Sequence, residues 1–135
     1  MGYYYNNPDF TALAFTRNDA QINFDWGTAT PDPRINADTF SVRWTGRIIP
    51  QYSETYTFYM DADDGVRLWV NGVLMINSWT GSGERTSTPI SLIAGTRYMI
   101  QIDYNQNINT AKAILSWSSA SVPKAIVPQV RLFVR

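Results

Sequence analysis

Residues 61–65 read Asp-Ala-Asp-Asp-Gly, which puts three carboxylates within four residues. Charges that close repel one another unless something positive lies between them. A hard cation suits them, because calcium takes about 6–8 oxygens and prefers carboxylates and carbonyls. The stretch is not an EF-hand: Gly65 comes one residue early, and the twelfth position is Gly72 where a bidentate Glu is required. The same residues also make an ordinary solvated β-turn, for which Asp and Gly are the usual choices. A second stretch, Asn105-Gln106-Asn107-Ile108-Asn109, offers neutral amide oxygens to a cation and hydrogen bonds to sugar hydroxyls, or forms a plain polar loop.

The chain is rich in aromatics, with five Trp, eight Tyr and six Phe, so both core and surface can draw on them. Trp44 and Trp117 sit in strand interiors and are assigned to the core. Trp69 falls opposite Val66, Leu68 and Val70, on the outward face of its strand. Trp79 lies at a strand end, before a Gly-Ser loop. An exposed Trp stacks on the apolar face of a sugar ring, so Trp69 and Trp79 are the candidate platform.

Catalysis has little to work with. There is no His and no Cys, which removes the commonest general base, thiol nucleophiles, disulfides and Cys-ligated zinc. No Gly-x-Ser-x-Gly elbow and no Gly-x-x-x-x-Gly-Lys phosphate loop occur. The carboxylates are scattered, and nothing marks a glycosidase pair. The expectation is that the chain is not an enzyme. The 11 basic residues balance the 11 acidic ones, so no strong field draws the chain to nucleic acid or anionic lipid. No apolar run approaches the roughly 18 residues of a membrane span. Met1-Gly2-Tyr3 has no basic segment and no apolar h-region, so it reads as the start of an excision from a longer protein and not as a signal peptide.

These residues need elements to position them, and 135 residues make one domain. β-branched and aromatic residues dominate, and turn residues arrive at short intervals, the pattern of many short strands. Period-two alternation predicts strands over 39–49, 55–60, 66–70, 97–104 and 111–117, with shorter ones at 73–76, 90–93 and 130–134. Asn71-Gly72, between two β-rich runs, predicts a type I′ hairpin. Residues 50–54, 61–65 and 105–110 are expected as turns or loops, 81–89 as a loop, and 122–128 as a proline-bearing connector. No helix is expected. So many strands in one domain imply an all-β sandwich or barrel.

Taken together, Phe40-Ser41-Val42-Arg43-Trp44-Thr45-Gly46, Tyr56-Thr57-Phe58, the run Asp63-Asp64-Gly65-Val66-Arg67-Leu68-Trp69-Val70-Asn71-Gly72, Leu92-x-Ala94-Gly95, Ile102-Asp103-Tyr104 and Leu115-Ser116-Trp117 resemble the fourteen-kilodalton protective-antigen domain family. The resemblance extends over roughly Tyr3 to Val134, with Tyr3-Tyr4-Tyr5-Asn6 as the remainder of the opening strand. It implies a two-sheet antiparallel β-sandwich or barrel and a non-catalytic module of a secreted or cell-surface protein. Such modules occur in glycosidases, yeast flocculins and adhesins, bacterial toxins and polysaccharide-sensing proteins. In the adhesins an Asp-Asp pair joined by a cis peptide binds calcium, and sugar hydroxyls complete the metal's coordination. The resemblance carries that metal role to Asp63 and Asp64, with Gln106 and Asn107 completing the site. It implies sugar contacts at Asp63, Asp64, Asn107 and Asn109, beside Trp69 and Trp79. The adhesins' long sugar-selecting insertions are absent here. The expected ligand is a polysaccharide or glycan, and the other partners are neighbouring domains of the parent chain. A scaffold or protein-interaction module without sugar binding is the alternative, as in the toxin.

Overall fold

The computed structural model describes residues 1–135. Thirteen strands follow one another: β1 (Gly2–Tyr5), β2 (Leu13–Arg17), β3 (Asn23–Gly27), β4 (Phe40–Ile48), β5 (Glu54–Asp63), β6 (Gly65–Val70), β7 (Val73–Ser78), β8 (Ser82–Thr86), β9 (Ile90–Leu92), β10 (Tyr98–Gln106), β11 (Ala111–Ser118), β12 (Ala125–Ile126) and β13 (Leu132–Phe133). The one helical element is a 3₁₀ turn, Gln129–Arg131. No helix is long and apolar enough to cross a membrane.

One sheet has seven strands in the order β2-β1-β4-β10-β6-β7, with β13 also on β4. The other has six, in the order β12-β11-β5-β8, with β3 also on β11 and β9 also on β5. All pairings are antiparallel. No ladder joins the two sheets, so the fold is a sandwich, and the barrel half of the expectation does not hold.

The alternation read from the sequence explains the core. Tyr56, Phe58, Met60 and Ala62 of β5 point inward and are fully buried. Ala111, Ala113, Leu115 and Trp117 of β11 lie on the same inner face. Opposite them stand Phe40, Val42 and Trp44 of β4, Val66, Leu68 and Val70 of β6, and Ile100, Ile102 and Tyr104 of β10. Each large apolar side chain so buried contributes roughly 1.5–3 kcal/mol. Trp44 and Trp117 are each 3% exposed, as expected of core residues. The Trp44 indole N–H is not orphaned by burial: it donates to Asp19 Oδ2 at 2.8 Å. The Asn71-Gly72 hairpin forms with φ of 52° and 76°, the positive values a type I′ turn requires.

The structure departs from the sequence reading in several places. Asp61 to Asp63 belong to β5 and not to a turn, because Ala62 carries the inward alternation one step further and pairs with Ala113. Asn105 and Gln106 likewise extend β10. Within 81–89, residues Ser82–Thr86 form strand β8, which has no apolar alternation and is held by backbone pairing to β5. Over 130–134 a 3₁₀ turn precedes a two-residue strand. β2, β3 and β12 carried too little alternation to be read at all.

Candidate functional site

Two chain crossings between the sheets meet at one end of the sandwich. β5 ends at Asp63 in the six-stranded sheet and β6 begins at Gly65 in the seven-stranded one, so Asp64 alone makes the crossing. The return crossing runs from Gln106 at the end of β10 to Ala111 at the start of β11, through the four residues 107–110. Because β10 pairs β6 and β11 pairs β5, the two crossings must lie side by side.

They are stitched together by hydrogen bonds. The Asp64 N–H donates to the Asn105 carbonyl at 3.1 Å. The Asn107 N–H donates to Asp64 Oδ2 at 2.7 Å. Thr110 Oγ1 donates to Asp63 Oδ2 at 2.9 Å. The buried Tyr104 hydroxyl donates to the Asp63 carbonyl. The Asp63–Asp64 peptide is cis, as the resemblance implied.

Electrostatically this end is unbalanced. Five ion pairs occur in the fold, and neither Asp63 nor Asp64 takes part in one. Lys112 faces Asp63 across the ladder, but its ammonium turns to Asp61 at 3.1 Å. Burial pushes the Asp64 carboxyl above the usual carboxylate range; the Asn107 amide opposes that shift and the neighbouring Asp63 reinforces it. Burial holds the Tyr104 hydroxyl far above its ordinary range, so it stays a donor.

The expected residues fall into three groups. Asp63, Asp64 and Asn107 are brought together. Asn107 donates its side-chain N–H to Asn105 Oδ1 at 3.4 Å, and its own Oδ1 carries no hydrogen bond. Asn109 is on the same exposed connection, with φ of 72°. Trp79 is beside the site: its carbonyl accepts from Asn105 Nδ2 at 3.1 Å. Its ring, however, is covered by the Arg67 guanidinium at 4.2 Å and leans on Phe10 at 5.8 Å.

Gln106 lies beneath the site, and Trp69 lies away from it along the sheet. Gln106 is fully buried, and its amide donates to the carbonyls of Ile108 at 3.1 Å and Asn109 at 3.3 Å, so it shapes the loop from beneath. Trp69 is half-buried and pairs with Leu74 and Gln101, four residues along β6 from Gly65. At about 3.3 Å per residue, roughly 13 Å of strand separates its backbone from Gly65.

Sequence reasoning missed Tyr104 and Thr110, which flank the polar stretch that was singled out; a strand residue that points into a crossing and a lone loop hydroxyl give no separate signal. Asn105 belonged to that stretch, but its hold on the Trp79 carbonyl was not read. Gly65 was read as a turn glycine. Its real constraint is contact: a Cβ there would stand 1.9 Å from the Trp79 carbonyl oxygen.

The donor set at this end is all oxygen: two carboxylates without a basic partner, the Asn107 amide and the Thr110 hydroxyl. No group of three or more His, Cys, Asp or Glu side chains gathers anywhere in the fold. Such a set fits a hard cation and offers nothing to a soft one.

The sequence model of the PA14 domain matches residues 1–131. The chain is 53% identical over 133 residues to anti-sigma-I factor RsgI3 of Acetivibrio thermocellus, covering 98% of this chain and 21% of that protein. Its structure resembles that of an anti-sigma factor domain-containing protein at TM-score 0.95 and 51% identity, over 98% of this chain and 46% of that one. The PA14 sugar-binding domain from RTX adhesin shares the fold at TM-score 0.72 and 20% identity, over 99% of this chain and 97% of that domain. The chain therefore spans about a fifth of the curated relative and under half of the first solved chain. A family match over residues 1–131 and a two-sheet sandwich whose crossings meet at an Asp-Asp-Gly corner make one statement: the chain belongs to the PA14 domain family.

Proposed function

We propose that this domain is a non-catalytic carbohydrate-binding module whose site is the Asp63/Asp64 end, assisted by calcium. The observation that carries the reading is the convergence of two carboxylates, free of any basic partner, with the amide-bearing 107–110 connection. Asp63 and Asp64 would hold the ion, and the Asn107 amide oxygen is the neutral donor closest to hand. Calcium takes about 6–8 oxygens, so these residues leave positions for water or for sugar hydroxyls. Asn109 and Thr110 border that open side. Trp79 would add apolar area to a sugar lying across the corner; Trp69 is too far along β6 to share the same ring.

The partner class is a polysaccharide or glycan, and the setting an extracellular or cell-surface segment of a longer chain. The similarity to anti-sigma factors supports a sensory role, in which glycan bound by this module is reported to the rest of the parent protein. The sugar-binding domain of the RTX adhesin supports the ligand class through the shared fold.

The test is titration calorimetry of calcium into chelator-treated protein, with a thermal melt at each concentration. An affinity of about 10⁻⁴–10⁻³ M, common in extracellular modules, is expected. No heat at millimolar calcium and an unmoved melting temperature would remove the metal from the account.

A further inference from the structure

Arg85 is the fourth residue of β8, within a segment that reads as loop in the sequence. Its Nε donates to Ser78 Oγ at 3.1 Å. Nη1 donates to the carbonyls of Ala62 at 2.6 Å and Gly83 at 2.9 Å. Nη2 donates to the carbonyls of Asp64 at 3.0 Å and Thr80 at 3.1 Å. A guanidinium has five N–H groups, and here all five have acceptors. None of these acceptors is a carboxylate, and Arg85 forms no ion pair.

Four of the five acceptors fall in two pairs. Ala62 and Asp64 flank Asp63, and Ser78 and Thr80 flank Trp79. One rigid fork thus clamps the backbone on both sides of the first carboxylate and ties the aromatic turn to it. We propose that Arg85 is the positioning residue of the Asp63/Asp64 site, acting through these carbonyls and not through contact with a ligand. The inference rests on the reading that the two carboxylates hold a cation.

Two effects of Arg85 have opposite signs, which makes the proposal testable. By charge alone, a cation beside two carboxylates weakens binding of another cation, so its removal tightens calcium. By positioning, its removal loosens the carboxylates and weakens calcium. Lysine keeps the charge but offers three N–H groups from one point, and cannot span carbonyls on both sides of Asp63.

The experiment compares wild type, Arg85→Lys and Arg85→Gln in two arms. In chelator, NMR hydrogen exchange is followed at the Asp64 and Asn107 amides, with Ile102 as an internal reference in the core. In the second arm, calcium chloride is titrated calorimetrically. The proposal expects Asp64 and Asn107 to exchange at least ten-fold faster in Arg85→Gln relative to Ile102, and Arg85→Lys to fall between. It expects calcium affinity to drop at least ten-fold in Arg85→Gln and less in Arg85→Lys. Unchanged exchange at both amides overturns the proposal, and so does tighter calcium binding by Arg85→Gln. If wild type takes up no calcium while the exchange pattern is as stated, the calcium reading fails and the positioning role stands.

Discussion

Gly65→Ala is a small change at a position where the fold leaves no room. Gly65 opens β6 directly after the Asp63–Asp64 corner. A Cβ built there would lie 1.9 Å from the Trp79 carbonyl oxygen, 2.3 Å from its carbonyl carbon and 2.5 Å from Asn105 Nδ2. Two of these three atoms are backbone, so the Trp79 turn must move outward by about an ångström or more to restore ordinary contact. That movement breaks the Asn105–Trp79 hydrogen bond of 3.1 Å. Overpacking costs about 1–3 kcal/mol, and the lost hydrogen bond costs about 0.5–1.5 kcal/mol. The sum is roughly 1.5–4.5 kcal/mol of stability. Gly72→Ala is the control: nothing lies within 4 Å of its added Cβ, and its cost comes only from a φ of 76°. That cost is about 1 kcal/mol. Urea denaturation of the three proteins measures both values. Gly65→Ala within about 0.5 kcal/mol of wild type would refute the close approach of the Trp79 turn to the corner.

Asp64→Asn keeps the side chain's shape and removes a charge whose ionised form the fold disfavours. Because the Asp64 pKa is raised in the folded state, its contribution is present below the ordinary carboxylate pKa and is lost as pH rises through the raised value. The variant should therefore equal or exceed wild type in stability at neutral pH in chelator, and its melting temperature should ignore calcium; a melt across pH 3–7 checks both. Tyr104→Phe leaves the Asp63 carbonyl without its donor while keeping the ring in the core. It should cost about 1–3 kcal/mol by urea denaturation. Trp44→Ala empties a site that is 3% exposed and takes a donor from Asp19. A loss of about 3–5 kcal/mol is expected, so folding should suffer before any binding does.

The long strands were legible because each buries one face against the other sheet, which forces period-two alternation. β4, β5, β10 and β11 all carried it, and the Asn71-Gly72 turn announced itself by residue type. Edge strands carry no such demand. β8, with the sequence Ser-Gly-Glu-Arg-Thr, is fixed by backbone pairing with β5 and by the reach of Arg85, neither of which leaves a pattern in composition. At the site, Asp63, Asp64 and Asn107 stood out by chemistry, and the topology brings them together. Gln106 is buried under the loop, its amide spent on the Ile108 and Asn109 carbonyls, and burial of an amide at a strand end is not legible from residue type. Trp69 was correctly read as facing outward, but an outward face extends the length of the sheet, and distance along it is invisible without the crossings.

Affinity electrophoresis tests the central reading most directly. Wild type and Asp64→Asn are run through gels containing plant and bacterial polysaccharides, with millimolar calcium and with chelator. Wild type should be retarded by at least one polysaccharide in calcium, and should run free in chelator. Asp64→Asn, shown to be folded by its denaturation curve, should run free in both. Equal mobility of the two proteins in every gel, with and without calcium, would contradict a calcium-assisted glycan site and leave the Asp-Asp-Gly corner as a structural turn of a scaffold module.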